Sequence, residues 1–230
     1  MAPDHEYGFY LANGTQIVHG RGALQRSAFP PEANVPGQLC ILSPGHTADA
    51  QTPRFSGPQG LFRFTTENRM PRHVHLASSP ASGDSKRYVV EKIVTLNGVA
   101  LAELGDQIYV IPPNTLVIIG PGVPHSWVAC PPGLDLLELG VSDERIVSDG
   151  QFLAVFEYEE PTGFFPTAQK ETLRSEEDYA RCEDLQNIRF PVMSLEQIRG
   201  TAKFVWGRSA ASLRERSDPL FVKDGEEIRL

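Results

Sequence analysis

Cysteine is scarce in this chain: Cys40, Cys130 and Cys182 stand far apart, odd in number and without a CxxC pair. That excludes a disulfide framework and a thiolate zinc site and suits a reducing compartment, so a cytoplasmic location is expected. Runs of one charge sign are also missing. No Lys/Arg run exceeds two residues and the formal net charge is −8, which repels phosphate backbones and argues against nucleic acid as a partner. No apolar run approaches the roughly 18 residues of a membrane span. The first residues, MAPDHEYGFYLANG, carry acids and lack the apolar core of a secretory signal, so no membrane association is expected. A dinucleotide fingerprint and a P-loop are absent, as is any repeat of fixed period that would indicate a duplicated barrel.

Punctuation is abundant. The 20 glycines and 19 prolines among 230 residues are dispersed between short apolar runs, the texture of an all-β chain with many turns. Candidate strands are 7–12, 15–20, 38–43, 61–66, 72–77, 87–96, 99–104, 107–111, 115–119, 125–129, 134–140 and 151–160. Their spacing near ten residues predicts a sandwich or barrel. Asn97-Gly98 between two apolar runs predicts a hairpin. Past residue 160 the texture changes. The stretch 168–185 is helix-like, with Ser175 and Asp178 as a weakened capping box. A shorter helix is expected from Ser194, with Gln197 three residues on, to Gly200. The charged tail from Arg208 reads as a surface arm. The chain thus divides into a β-barrel over residues 1–160 and a C-terminal extension over 161–230 whose helices pack on the barrel.

The chemistry concentrates in two stretches, 71-PRHVHLASSPASGDSKRYVVEKIVTLNG-98 and 114-NTLVIIGPGVPHSWV-128. Side chains alternate faces along a strand, so His73 and His75 share a face and Val74 takes the other, with the two Cα atoms about 6.5 Å apart. Two imidazoles on that spacing can lean onto one ion. Glu91 shares a face with Val89, Ile93 and Thr95, where an ionised carboxylate is costly unless paired or metal-bound. His125 opens a strand after Gly120-Pro121-Gly122, with Trp127 on its face. His5, His19 and His46 read as surface residues, and the charges of 171–184 as a solvated helix face.

These residues resemble the two motifs of the cupin superfamily, G-x5-H-x-H-x3/4-E-x6-G and G-x5-P-x-G-x2-H-x3-N. His73-x-His75, Glu91-x6-Gly98 and Gly122-x2-His125 keep the internal spacings, over roughly residues 60 to 140. The chain departs in four places. Fifteen residues separate His75 from Glu91, Asn114 stands for the second motif's first Gly, Gly120 for its Pro and Ala129 for its Asn. Asn114 tolerates the positive φ of a turn. Asp84, in the 76–87 insertion, is the rival acid.

The resemblance implies an antiparallel jelly-roll β-barrel and a metal held by His73, His75, Glu91 and His125. Imidazole and carboxylate suit Fe(II), Mn, Ni, Co, Cu or Zn, and the family makes Fe(II) the first choice. The implied activity is that of a metal-dependent oxidoreductase, a dioxygenase of the quercetinase type acting on a hydroxylated aromatic or enol-bearing small molecule, with Glu91 as base. An oxygen-free cyclase, isomerase, dehydratase or decarboxylase and a non-catalytic binding barrel are the alternatives. Phe62, Phe64, Val89, Ile93 and Trp127 are candidates for the substrate pocket wall. Phe164-Phe165 and the helix near 175–185 are candidates for a lid. An apolar outer face at Tyr88, Val90 and Val94 suggests a homodimer.

Overall fold

The computed structural model describes residues 8–20, 24–27, 38–41, 55, 57–78 and 86–205. Asp84, His5, His46 and the tail from Arg208 lie outside the described residues. The strands are β1 (Gly8–Tyr10), β2 (Gln16–His19), β3 (Leu24–Ser27), β4 (Gln38–Ile41), β5 (Gln59–Thr65), β6 (His73–Val74), β7 (Leu76–Ser78) and β8 (Lys86–Tyr88). They continue with β9 (Glu91–Gly98), β10 (Ala100–Leu104), β11 (Gln107–Ile111), β12 (Thr115–Ile119), β13 (His125–Ala129), β14 (Gln151–Tyr158), β15 (Phe165–Pro166) and β16 (Lys203–Phe204), and among the described residues one α-helix, α1 (Leu195–Thr201), precedes β16.

Two six-stranded sheets dominate, ordered β1-β2-β12-β9-β14-β5 and β15-β6-β13-β10-β11-β16. The order shows why the chain closes on itself. Its central strands β12-β9-β14-β5 and β6-β13-β10-β11 are filled by a chain that crosses repeatedly between the sheets, the double Greek key of a jelly roll. Inner-face residues of both sheets form one core, with Ile93, Val117, Ile119 and Phe152 from the first against Ala102, Tyr109, Ile111 and Trp127 from the second. A second core lies outside, where Leu101, Val110 and Val128 of the second sheet are covered by Leu134, Leu136, Phe190 and Ile198 of α1. Among the described residues no helix is long and apolar enough to cross a membrane.

Several expectations change. Asn97-Gly98 is not a hairpin: β9 already has β12 and β14 on its two sides, so after Gly98 the chain crosses to the other sheet. The two-residue hairpin is at Gly105-Asp106, where Leu104 pairs with Gln107. Residues 134–140 are turns, not a strand, because Asp135 Oδ1 accepts the N–H groups of Leu137 and Glu138 at 3.0 and 3.3 Å and bends the chain. The expected helix at 168–185 reduces to one 3₁₀ turn at Glu176–Asp178. There Asp178 Oδ2 accepts from the N–H groups of Arg174 and Ser175 at 3.0 and 2.9 Å, and Gln169 Oε1 accepts from Ala180 N–H at 2.9 Å. Side chains take the donors that a helix would need. The cap at Ser194 does form, with reciprocal bonds to Gln197 of 3.2 and 2.8 Å. His19 is buried, not a surface residue.

The strands expected at 72–77 and 87–96 each break, at His75 and at 89–90, to give the small hairpin β7–β8 in register Leu76↔Tyr88. Tyr88 is consequently not on an open outer face: it packs with Val74, Leu76 and Leu173. The outer face of the first sheet retains the cross-strand row Leu61, Val155 and Val94, with Leu61 65% exposed.

Gly122 sets up the turn before β13. Its φ is +73°, a Cβ there would collide with the Leu173 carbonyl, and its own carbonyl accepts from Leu173 N–H at 2.9 Å. Gly122→Ala is expected to destabilise the protein by at least about 2 kcal/mol, read as a lower urea midpoint at unchanged slope.

Candidate metal centre

His73 and His125 are register partners across β6 and β13 of the second sheet, and Glu91 opens β9 of the first, where it pairs with Ile119 and Tyr158. His75 follows β6 at the point where the chain leaves the sheet, and its carbonyl accepts from Val89 N–H at 3.0 Å. All four residues are buried, at 5% exposure or less. One donor atom from each of the three histidines falls within 4.8 Å of the others, so this buried trio could hold a metal ion.

The ring orientations are set from behind. His73 Nδ1 lies 2.9 Å from the Pro71 carbonyl, His75 Nδ1 3.0 Å from that of Gly163, and His125 Nδ1 2.9 Å from that of Val123. A carbonyl only accepts, so each Nδ1 carries a proton, which leaves Nε2 as the atom that would present a lone pair to an ion. Metal-ligating histidines are oriented in this way. Glu91 Oε2 then sits 3.0 Å from His125 Nε2 and 3.4 Å from His75 Nε2. These short contacts are not hydrogen bonds: all three atoms are buried and have no hydrogen-bond partner. Donors about 2.1 Å from one ion and at right angles lie about 3.0 Å apart, so the spacing is that of neighbouring ligands.

Facing lone pairs repel unless a proton or a cation stands between them. Burial opposes a proton on His73, and with the neighbouring His125 and His75 it holds that ring well below the ordinary imidazole pKa. For Glu91, burial acts to raise the carboxyl, and positive charge at His75 and His125 outweighs it and holds the group well below the usual carboxylate range. With neutral rings a bound cation supplies that charge and keeps the carboxylate ionised. A divalent ion fits this donor set: it would satisfy the orphaned His75 Nε2, His125 Nε2 and Glu91 Oε2 together.

The supporting residues were largely invisible in the sequence. Arg72 reaches Glu103 through Nε at 3.2 Å and Nη2 at 2.7 Å, and Ser126 Oγ donates to the same carboxylate at 3.0 Å. This buried cluster ties the chain before β6 to β10 and β13, the segments that hold His73 and His125. Phe164 stacks on His73 with ring centroids 4.4 Å apart. The segment expected to form a lid helix instead contacts Tyr88 and Pro166, through Tyr88 Oη to the Ser175 carbonyl and Tyr179 Oη to the Pro166 carbonyl, both at 3.0 Å.

Of the expected pocket residues, Val89, Ile93 and Trp127 are buried at 3%, 2% and 0% exposure, the last two within the barrel core. Phe62 and Phe64 are half-buried, 4.8 Å apart. Phe62 begins an aromatic row: it lies 6.1 Å from Phe156, Phe156 lies 5.3 Å from Tyr158, and Tyr158 lies 4.6 Å from the His75 ring. Phe156 and Tyr158 follow from the alternation of β14, but their neighbours are set by sheet pairing.

The strand order and the inward histidines on β6 and β13 agree with the motif resemblance. This is a cupin fold. No family model matches the chain, and no curated protein sequence matches it. Among solved structures, similar chains include NovW, a 4-keto-6-deoxy sugar epimerase from Streptomyces spheroides, with 12% identity over 94% of each chain and a TM-score of 0.41. The RmlC epimerase of Mycobacterium tuberculosis shares 10% identity over 90% of this chain and 96% of its own, at a TM-score of 0.41. A cupin 2 domain-containing protein from Halorhodospira halophila shares 11% identity over 71% of this chain and 84% of its own, at 0.34.

A bound ion at 100 times its Kd stabilises by about 2.7 kcal/mol. At about 2–4 °C per kcal/mol for a chain of this size, chelation of the ion-loaded protein should lower Tm by roughly 5–10 °C. His125→Ala and His75→Ala should abolish that difference, as read by calorimetry alongside elemental analysis.

Proposed function

We propose that this chain is a metal-dependent cupin enzyme, a dioxygenase acting on a hydroxylated aromatic or enol-bearing small molecule. The observation that carries the reading is the convergence of two orphaned imidazole lone pairs and one orphaned carboxylate oxygen in a buried site, next to a row of aromatic side chains. His73, His75, His125 and Glu91 would hold the ion, Fe(II) in the first instance. A divalent ion there supplies Lewis acidity, which lowers the pKa of a substrate hydroxyl, and, if redox-active, a route for O₂ chemistry.

The residues of the chain do the rest. Phe62, Phe156 and Tyr158 offer an apolar wall along which a planar substrate lies, its oxygen toward the histidines. Glu91, kept ionised, accepts the hydroxyl proton at its carboxylate. The packed core formed by Ile93, Trp127 and Phe152 closes the inner end of the site and keeps water from it. Phe164 occupies the His73 side.

A second reading, an oxygen-free isomerase or cyclase, is favoured by one pairing. Tyr158 is the register partner of Glu91 on the neighbouring strand, and its hydroxyl is held neutral, its pKa raised first by burial and then by the Glu91 charge. A base and an acid thus stand side by side, as proton transfer between two positions of a substrate requires. Association into a homodimer through Leu61, Val94 and Val155 belongs to the same proposal.

Oxygen consumption by the ion-loaded protein against a panel of phenols and enols separates the readings. Stoichiometric uptake supports the dioxygenase; turnover under strict anoxia overturns it in favour of the second reading, and binding without turnover in either condition points to a non-catalytic barrel. Glu91→Gln should lower kcat by about 10²–10⁴ while sparing ion content more than His125→Ala does. Full activity in Glu91→Gln would exclude Glu91 as the base.

A further inference from the structure

The two histidine-bearing strands of the second sheet share little main-chain pairing. β6 is two residues long, and His73↔His125 is its one register pair with β13. The Met70 N–H adds a bond to the Trp127 carbonyl at 3.1 Å, and Pro71, between them, has no N–H to give. The main chain of Arg72 bonds away from β13. Its N–H donates to the Ile188 carbonyl at 2.8 Å and its carbonyl accepts from Thr167 N–H at 3.0 Å. Its side chain turns back across the sheet.

Side chains alternate faces, so Arg72 and Ser126 lie on the outer face, one position along from the His73–His125 pair. Ser126 is the register partner of Glu103 on β10. The Glu103 carboxylate accepts from Arg72 Nε and Nη2 at 3.2 and 2.7 Å and from Ser126 Oγ at 3.0 Å. Arg72 Nη1 donates to the Ala168 carbonyl at 3.1 Å. All three residues are buried, on a face that continues with the apolar Leu101 and Val128. Stability alone does not account for them, because apolar residues of like volume in place of a buried ion pair are often neutral or stabilising. What a forked guanidinium–carboxylate bond supplies is a fixed direction and distance. We infer that Arg72, Glu103 and Ser126 are positioning residues of the metal centre, whose ion pair sets the approach of β6 to β13 and with it the spacing of His73 and His125. The inference rests on the metal-centre reading above. Residues that orient metal ligands from outside the ligand set typically contribute 10- to 100-fold in metal affinity.

The test uses the full-length chain, stripped of metal by chelation and titrated with Co(II), whose visible absorption reports ligand number and geometry. A triple variant, Arg72→Met with Glu103→Leu and Ser126→Ala, roughly keeps the volume and removes every polar side-chain group of the cluster. Its apo unfolding midpoint should equal or exceed that of wild type. Its Co(II) affinity should fall about tenfold or more and its absorption band should shift. Glu103→Gln keeps the shape and removes the charge, and should shift the band with a smaller loss of affinity.

Wild-type affinity and spectrum in the triple variant would overturn the inference while leaving the metal centre standing. A lowered midpoint and weaker binding with an unshifted band would also overturn it, since the cluster would then be supporting the barrel and not the ligand spacing. Should the triple variant fail to fold, Glu103→Gln decides: a shifted band upholds the inference and an unshifted one overturns it. A wild-type chain that binds no Co(II), or binds it equally after His75→Ala and His125→Ala, would overturn the metal-centre reading and this inference with it.

Discussion

The site depends on a confrontation between hydrogen-bond acceptors. Three backbone carbonyls, from Pro71, Val123 and Gly163, fix the protons of three imidazoles at Nδ1. That choice leaves Nε2 of His75 and His125 aimed at the Glu91 carboxyl with no hydrogen bond between them. Leaving one buried polar atom unsatisfied costs about 1–3 kcal/mol, more where it is charged. Three converging at a single point would be a heavy penalty for a fold to retain without compensation. The tautomer, set from outside the site, thereby determines what the inside can accept.

The rest of the architecture can be understood as holding that arrangement in place. The jelly roll sets β6 beside β13, so that two ligand candidates face each other across one strand pair, and brings Glu91 in from the opposite sheet. The Arg72–Glu103–Ser126 cluster fastens the same strands from the outer side. Leu134, Leu136, Phe190 and Ile198 cover the apolar outer face of that sheet, so the sheet carrying His73 and His125 is packed on both sides. Rigidity is concentrated where the histidines are.

Much of this was legible in the sequence, and the boundary falls between local and non-local information. The HxH spacing put His73 and His75 on one face, the isolated acid at Glu91 demanded a partner, and Gly122 marked the turn before His125. Asn114 at a φ of 60° confirms the turn read at that position. Ser194 and Gln197 announced α1 through a pattern only four residues long. What failed was whatever depended on partners distant in sequence. Asn97-Gly98 has the composition of a hairpin, but both edges of β9 are taken by strands that no local window can see. Leu134 and Leu136 have the alternation of a strand and are buried, yet they lie over a sheet instead of in one. Likewise nothing near Tyr158 or Gly163 points to Glu91 or His75, because those contacts exist only once the sheets are paired.

That the ligand candidates come from both sheets has a mechanical side. An ion bound by His73 and His125 on one wall and Glu91 on the other would act as a rivet through the barrel. Parting the two sheets would then require breaking metal bonds as well as opening the core, so the ion would couple the walls into one unfolding unit.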